Sequence, residues 1–236
     1  MNNSSPEFDQ YSEAYDQLAS DEIRDRFASG ATEFFHLRKR DLIREYFRKR
    51  ETDTRTLAYL DLGCGKGELA TMLRDDFARV AGCDPSAGML KAGGLAEKGI
   101  EARVQGDPGR IPFEPGEFDF VTAVCVFHHV PPMARASLVK EARRVLKPGG
   151  TLAIIEHNTY NPVTRLAVSR IPVDADAILL PPPETRNLFR NAQLTIDKQQ
   201  YFLYFPAKLY PHLRGIEAAL SKVPLGGQYA VFGRLP

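Results

Sequence analysis

Three glycines stand at alternate positions within Leu57-Ala-Tyr-Leu-Asp61-Leu-Gly63-Cys-Gly65-Lys-Gly67-Glu-Leu-Ala70. They follow a short apolar run that ends in an acid and precede renewed helical periodicity, so the stretch reads as strand, tight turn and helix. Positive φ is cheap only for glycine, and a missing Cβ lets a ligand lie directly on the backbone. Amides at the first turn of the following helix then favour an electron-rich or anionic group. A glycine-rich turn serving packing alone is the plainer alternative. The alternate spacing behind a strand-terminal aspartate weighs against it, although the stretch by itself leaves the ligand open.

The chain beyond this turn repeats the same grammar. Arg79-Val-Ala-Gly-Cys-Asp84 reads as a second strand ending in an acid. Asp84 lies about 23 residues beyond Asp61, near the ~20-residue offset at which an acid in dinucleotide-binding folds meets ribose hydroxyls. A carboxylate can accept both vicinal hydroxyl protons, whereas the bland role is an ordinary acid at a strand end. Residues 86–98 read as a helix with Met89 and Leu90 on its buried side, and Ile100-Glu-Ala-Arg-Val-Gln-Gly-Asp107 as a third strand. Phe118-Asp-Phe-Val-Thr-Ala-Val-Cys125 is a fourth strand whose apolar character implies burial on both faces, as in a parallel sheet. Leu138, Val139, Ala142, Val145 and Leu146 repeat at helical spacing before Lys147-Pro-Gly-Gly150, and Thr151-Leu-Ala-Ile-Ile-Glu156 is the fifth strand. Such βα alternation specifies a doubly wound sheet with ligands beyond the carboxyl ends of its strands. Asp61, Asp84, Asp107, residues 125–129 and Glu156-His157-Asn158 all fall at those ends.

The 236 residues suit one α/β domain over 8–236 after a disordered stretch at 1–7. A net charge of +1 gives no global field toward nucleic acid or membrane. No apolar run approaches the roughly 20 residues of a membrane span, and the first residues lack a signal-peptide pattern, so a cytoplasmic location is expected. Cys64, Cys83 and Cys125 lack CxxC spacing and are expected to be reduced packing thiols. Phe8, Tyr11 and Tyr15 share one helical face, which packs on the core or, for Tyr15, lids a ligand pocket. Residues 31–50 form an amphipathic helix with Phe35, Leu42, Ile43, Tyr46 and Phe47 on its apolar stripe. Its basic residues, Arg38, Lys39, Arg40, Arg44, Arg48, Lys49 and Arg50, are expected on a solvated face rather than an RNA-binding one.

Five motifs in order resemble the class I S-adenosylmethionine-dependent methyltransferases, of the small-molecule type. They are Leu60-Asp-Leu-Gly-Cys-Gly-Lys-Gly67, Gly82-Cys-Asp-Pro-Ser86, Gly106-Asp107 with Ile111-Pro-Phe113, Phe118-Asp119, and Val145-Leu-Lys-Pro-Gly-Gly150. A dehydrogenase also has a glycine turn and a second-strand acid, but its fingerprint is GxGxxG, whereas this turn is GxGxG. The resemblance implies a Rossmann-like seven-stranded sheet of order 3-2-1-4-5-7-6 with strand seven antiparallel. Residues 194–205 and 228–234 would be strands six and seven, joined by a helix near 208–220, and the chain would divide into an 8–50 helical lid, a 51–156 cofactor core, a 157–190 acceptor-side insertion and a 191–236 end. S-adenosylmethionine would be the donor and S-adenosylhomocysteine the product. Asp61, Gly63, Cys64, Gly65 and Gly67 would surround its methionine half, Asp84 and Pro85 its ribose, and Asp107, Pro108 and Gly109 its adenine. Tyr15, Met89, Val124, Cys125 and His128 complete the implied cofactor set. Pro108 departs from the family pattern because proline has no N–H for adenine, and Gly109 could substitute.

Methyl transfer is an in-line displacement that rewards alignment of acceptor and methyl. A hydroxyl acceptor also benefits from a base, for which His128, His129 and His157 are the candidates. Adjacent histidines lack metal-ligand spacing, so no metal is expected. The polar insertion after Glu156 offers His157, Asn158, Tyr160, Asn161 and Arg165 as acceptor contacts. Its Glu-His-Asn-x-x-Asn-Pro-x-Thr-Arg pattern is also similar to a bacterial subgroup found among surface-polysaccharide and specialised-metabolite enzymes. The leading expectation is methylation of oxygen on a sugar, lipid-linked or specialised metabolite, with no nucleic-acid partner and oligomeric state open. Methylation of nitrogen or carbon is one alternative. Another, of a different class, is a nucleic-acid methyltransferase or a non-catalytic binding protein, although Val124-Cys-Val-Phe127 replaces the amino-methylating tetrapeptide.

Overall fold

The computed structural model describes Asp9, Ala14, residues 18–31 and residues 33–236, so the expected lid aromatics Phe8, Tyr11 and Tyr15 and the expected disorder at 1–7 lie outside the described residues. Seven strands run as β1 (Ala58–Leu62), β2 (Arg79–Asp84), β3 (Glu101–Val104), β4 (Phe118–Val124), β5 (Leu146–His157), β6 (Thr195–Phe202) and β7 (Gln228–Arg234). They form one sheet of order β3-β2-β1-β4-β5-β7-β6. The pairs among β1 to β5 are parallel, while β7 runs antiparallel to both β5 and β6. This is the sheet that the five motifs imply.

The helices are α1 (Glu22–Ala28), α2 (Glu33–Arg48), α3 (Glu68–Met72), α4 (Ala87–Gly93), α5 (Pro132–Val145), α6 (Pro162–Val168), α7 (Pro182–Asn191) and α8 (Tyr210–Leu220). Alternation along the strands sorts side chains to the two faces. Leu60 and Leu62 of β1 join Leu138, Val139, Ala142 and Val145 of α5 and Leu188 and Phe189 of α7 in one core. Tyr59 faces the other way, with Phe120 and Phe232, against Leu42, Ile43, Tyr46 and Phe47 of α2. Tyr46 stacks on Phe232 with ring centroids 4.1 Å apart, and its hydroxyl donates to Asp197 at 2.6 Å, so α2 is anchored across β6 and β7.

Several boundaries differ from the sequence expectation for local reasons. The helix expected over 86–98 stops at Gly93 because Gly94 takes a left-handed φ of 56°, and a short 3₁₀ turn follows at Ala96–Lys98. Lys147-Pro-Gly-Gly150 lies inside β5, where Gly149 at φ 78° accompanies the register shift between Phe118 and Phe120. The solvated face expected on α2 is also corrected: Arg38 and Lys39 are both buried. Arg38 lies 3.6 Å from the centre of the Tyr210 ring and pairs with Glu217 on α8, while Lys39 points into the cavity described next.

Candidate functional site

A cavity of about 570 Å³ opens at the carboxyl ends of β1, β4 and β5. The glycine turn forms one wall. Gly63, Gly65 and Gly67 all have positive φ, at 68°, 56° and 74°. A Cβ at Gly63 would stand 2.5 Å from the Val126 side chain, so glycine is needed there for close packing as well as for φ. A Cβ at Gly65 would meet only the end of Met89, at 3.4 Å, and the residue lines the cavity. The resulting cradle is bare backbone on its ligand side, the feature a small cofactor requires.

Asp61 is buried beside this cradle and accepts from Thr122 Oγ1 at 2.7 Å. Burial pushes its carboxyl up to about 7 despite the Thr122 and Tyr59 hydrogen bonds. Asp84 accepts from the Gly65 amide on one oxygen and from the Ser86 amide on the other, each at 2.8 Å. It therefore holds the turn in shape from behind. Burial raises its carboxyl too, against those two amides.

The opposite wall carries acid–base groups. His128 is buried, and its Nδ1 donates to Glu156 Oε2 at 2.7 Å. Its Nε2 stands 3.4 Å from Asp174 Oδ1, which also lies 3.3 Å from His129 Nε2. Burial alone would lower the His128 imidazole, but Glu156 and Asp174 hold it well above its usual value. Asp174 is correspondingly held low by His128 and His129 against its burial. Glu156 uses its second oxygen to accept the Phe127 amide at 2.7 Å.

Arg135 fixes this wall from outside. Its buried guanidinium donates to the carbonyls of Phe127, Val130 and Ile178 and pairs with Glu184 at 2.8 Å. The Ile178 amide donates in turn to the His128 carbonyl at 2.8 Å. The histidine turn and the insertion bearing Asp174 are thus one hydrogen-bonded unit.

Between the two walls lies Cys125, with φ 56° and its Sγ 3.7 Å from Lys39 Nζ. Burial would raise the thiol, but the Lys39 charge and His157 bring it down to about 7. Cys64 and Cys83 are pushed up by burial, as expected of packing thiols, so Cys125 departs from that expectation. His36 also lines the cavity, with burial and then Lys39 and Arg24 bringing it down to about 3.

Of the sequence candidates, Asp61, Gly63, Cys64, Gly65, Met89, Val124, Cys125, His128, His129, His157 and Asn161 line the cavity. Gly67, Asp84, Pro85, Asp107, Pro108, Gly109, Asn158, Tyr160 and Arg165 are not among its lining residues, while Tyr15 lies outside the described residues. Asn158 is fully buried and donates to the Pro224 and Gly226 carbonyls, a loop-bracing role in place of the expected acceptor contact. Asn161 caps α6 by accepting from the Val163 and Thr164 amides. Lys39, His36 and Asp174 are among the lining residues that sequence reasoning missed. Lys39 and His36 were hidden in a basic helix, although their i, i+3 spacing puts them on one face. Asp174 carried no local signal.

Fold and cavity define a doubly wound α/β protein with a backbone cradle for a cofactor facing an acid–base cluster. Residues 60–154 match the family described as Methyltransferase domain. A demethylmenaquinone methyltransferase of Beutenbergia cavernae is 38% identical over 100 residues, which cover 42% of this chain and 40% of that one. A ubiquinone biosynthesis O-methyltransferase of Xanthomonas campestris pv. campestris is 30% identical over 163 residues, covering 62% and 66%. The matches thus span between about two fifths and two thirds of these relatives' lengths. A crystal structure from Thermotoga maritima, described as a SAM-dependent methyltransferase and possible histamine N-methyltransferase, superposes with a TM-score of 0.66 over 97% of this chain and 98% of that one. At 17% identity it speaks for the fold. Residues 60–154 are thus similar to the methyltransferase domain family, and the chain as a whole has the fold of the S-adenosylmethionine-dependent methyltransferase on which it superposes.

Proposed function

We propose that the protein binds S-adenosylmethionine and methylates an oxygen of a small, largely apolar molecule. The observation that carries this reading is the continuity of the cavity from the Gly63–Gly65 cradle to the His128, His129, His157 and Asp174 cluster. Bound S-adenosylmethionine supplies a methyl carbon activated by a sulfonium leaving group. Asp61 and the backbone of Gly63 and Gly65 would hold its methionine half. Asp84, one hydrogen bond behind Gly65, would be within the ribose region.

The acceptor half is walled by Ile23, Phe27, Phe35, Val168, Ile171 and Val173. Such walls exclude water and bind an apolar body, while a few convergent polar groups orient it. A phenol or hydroquinone-like acceptor fits this chemistry, and the quinone-pathway names of the relatives agree with it. His128 is the group least able to take the acceptor's proton, because both of its ring nitrogens face carboxylates. That task falls to His129 or His157, whose rings also border the cavity.

Calorimetric titration with S-adenosylmethionine, repeated on Asp84→Ala, tests the donor: tight binding by the wild type and at least tenfold weaker binding by the variant are expected. Turnover is then read as S-adenosylhomocysteine release over a panel of phenols, hydroquinones, amines and sugars, followed by mass location of the methyl group. Absence of wild-type binding would overturn the donor assignment, and a methyl found on nitrogen or carbon would overturn the oxygen assignment.

A further inference from the structure

The four groups His128, His157, Asp174 and Glu156 are built like a metal centre with its supporting shell. One ring nitrogen of His128, one of His157 and a carboxylate oxygen of Asp174 all lie within 4.8 Å of one another. Ligands about 2.0–2.1 Å from a tetrahedral ion stand roughly 3.3–3.4 Å apart. His128 Nε2 and Asp174 Oδ1 are 3.4 Å apart, so that edge needs no movement. The His157 nitrogen lies within 4.8 Å of the other two ligand atoms, so the remaining edges close with a shift of at most about 1.4 Å.

The second shell is also in place. A ligating histidine ordinarily donates its other ring N–H to a carboxylate, which fixes the ring and strengthens the ligand. Glu156 does this for His128 at 2.7 Å, and is itself locked by the Phe127 amide at 2.7 Å. Asp174 rides on the 3₁₀ turn Pro172–Asp174, seated by the buried side chains of Ile171 and Val173. Two carboxylates converge here in a site that is almost wholly buried. A divalent ion held by neutral imidazoles would balance both carboxylates at once.

We infer that His128, His157 and Asp174 bind a divalent transition-metal ion, with Glu156 as the carboxylate behind His128. This reverses the sequence expectation of no metal. Two imidazoles and one carboxylate suit zinc, cobalt, manganese or iron in the divalent state better than magnesium or calcium. Three protein ligands leave a coordination position facing the cavity, as at centres that act on a substrate rather than brace a fold. The inference deepens the proposed function and rests on it only in naming the occupant of that position, a hydroxyl oxygen of the acceptor. Coordination would orient that oxygen and lower its pKa, with His129, 3.3 Å from Asp174, placed to receive the proton.

The test is direct binding to the untagged chain after removal of metals with a chelator. Titration with Co²⁺, followed by its visible d–d absorption, and equilibrium dialysis with Zn²⁺ should each give one equivalent. Asp174→Asn and His157→Gln should each weaken binding at least tenfold, and Glu156→Gln should weaken it about tenfold. His212→Gln, at an exposed histidine of α8, should leave it unchanged. Circular dichroism of each variant distinguishes ligand loss from misfolding. Stoichiometry well below one, unchanged affinity in folded His157→Gln, or a thiolate charge-transfer band that vanishes in Cys125→Ser would overturn this ligand set. S-adenosylmethionine binding by the metal-free protein is measured alongside, and Asp84→Ala should lose the cofactor while retaining the metal. A failed donor assignment and a failed metal site therefore give different results.

Discussion

At the scale of single residues, the cavity is tuned by charge and burial in opposite directions. Burial raises Asp61 to about 7, so near neutrality it is poised between its acid and its anion. A cofactor ammonium group would favour the anion, and binding would then expel the remaining proton. The affinity for S-adenosylmethionine should therefore hold above pH 7 and fall by up to about tenfold per unit below it. Calorimetry at pH 6 in two buffers of different ionisation enthalpy should register release of nearly one proton, and Asp61→Asn should flatten the pH slope. For Cys125, burial works against the Lys39 charge and His157, and the latter pair brings the thiol to about 7. Lys39→Met removes an opposing charge and leaves burial to dominate. Alkylation of Cys125 at pH 7 should slow about five- to tenfold, with the apparent pKa from its pH dependence moving upward. Neither setting was legible in the sequence. Asp61 was found through its strand-end position, but its protonation depends on Thr122, Tyr59, Glu68 and Lys39, which lie on other turns of the chain.

At the scale of elements, the alternating strands and helices were readable, strands β6 and β7 were placed through the family resemblance, and the tertiary contacts of the insertion were not legible. Strands β1, β2, β4 and β5 declare themselves because each is a short apolar run closed by an acid, a cysteine or a glycine turn. Length and polarity lead to the expectation that the insertion after β5 is an acceptor-side element, and its cavity-lining polar residues include Asp174 as well as His157 and Asn161. Asp174 is held at the site by the bonds that tie residues 126–130 to the insertion, those of Arg135 to Ile178 and Glu184 and that of the Ile178 amide to the His128 carbonyl. The start of α5 gives no sign of this, since Arg135 reads there as one more surface arginine. Arg135→Met should remove the guanidinium donor from the carbonyls of Val130 and Ile178 and leave the Phe127 carbonyl with the Val130 amide alone. The expected cost is about 3 kcal/mol, taken below the full value for a buried pair because Glu184 is 37% exposed. Thermal unfolding should report a midpoint lower by roughly 6–12 °C for a chain of this size.

At the scale of the whole molecule, charge settles how the chain meets large partners. The basic run on α2 looks like a nucleic-acid surface when read alone, and the net charge of +1 argues against one only on average. In the fold that run is dispersed. Arg38 and Lys39 turn inward, Arg40 pairs with Asp41, Arg44 with Asp76, Lys49 with Glu45 and Arg50 with Asp197. Asp76 and Asp197 come from segments distant in sequence, so only tertiary structure could reveal the neutralisation. A nucleic-acid surface works by placing several unpaired cations along a phosphate backbone, and each phosphate it neutralises adds roughly 0.7–0.9 to the salt slope of binding. With every cation of the run except the exposed Arg48 paired or buried, α2 lacks that array. Titration of a fluorescent single-stranded RNA and of a short duplex at 50 and 200 mM salt should give no saturable binding at either. Tight binding at 50 mM that falls by a factor of a thousand or more at 200 mM would instead mean that six or more phosphate contacts form, and would return the protein to the nucleic-acid reading.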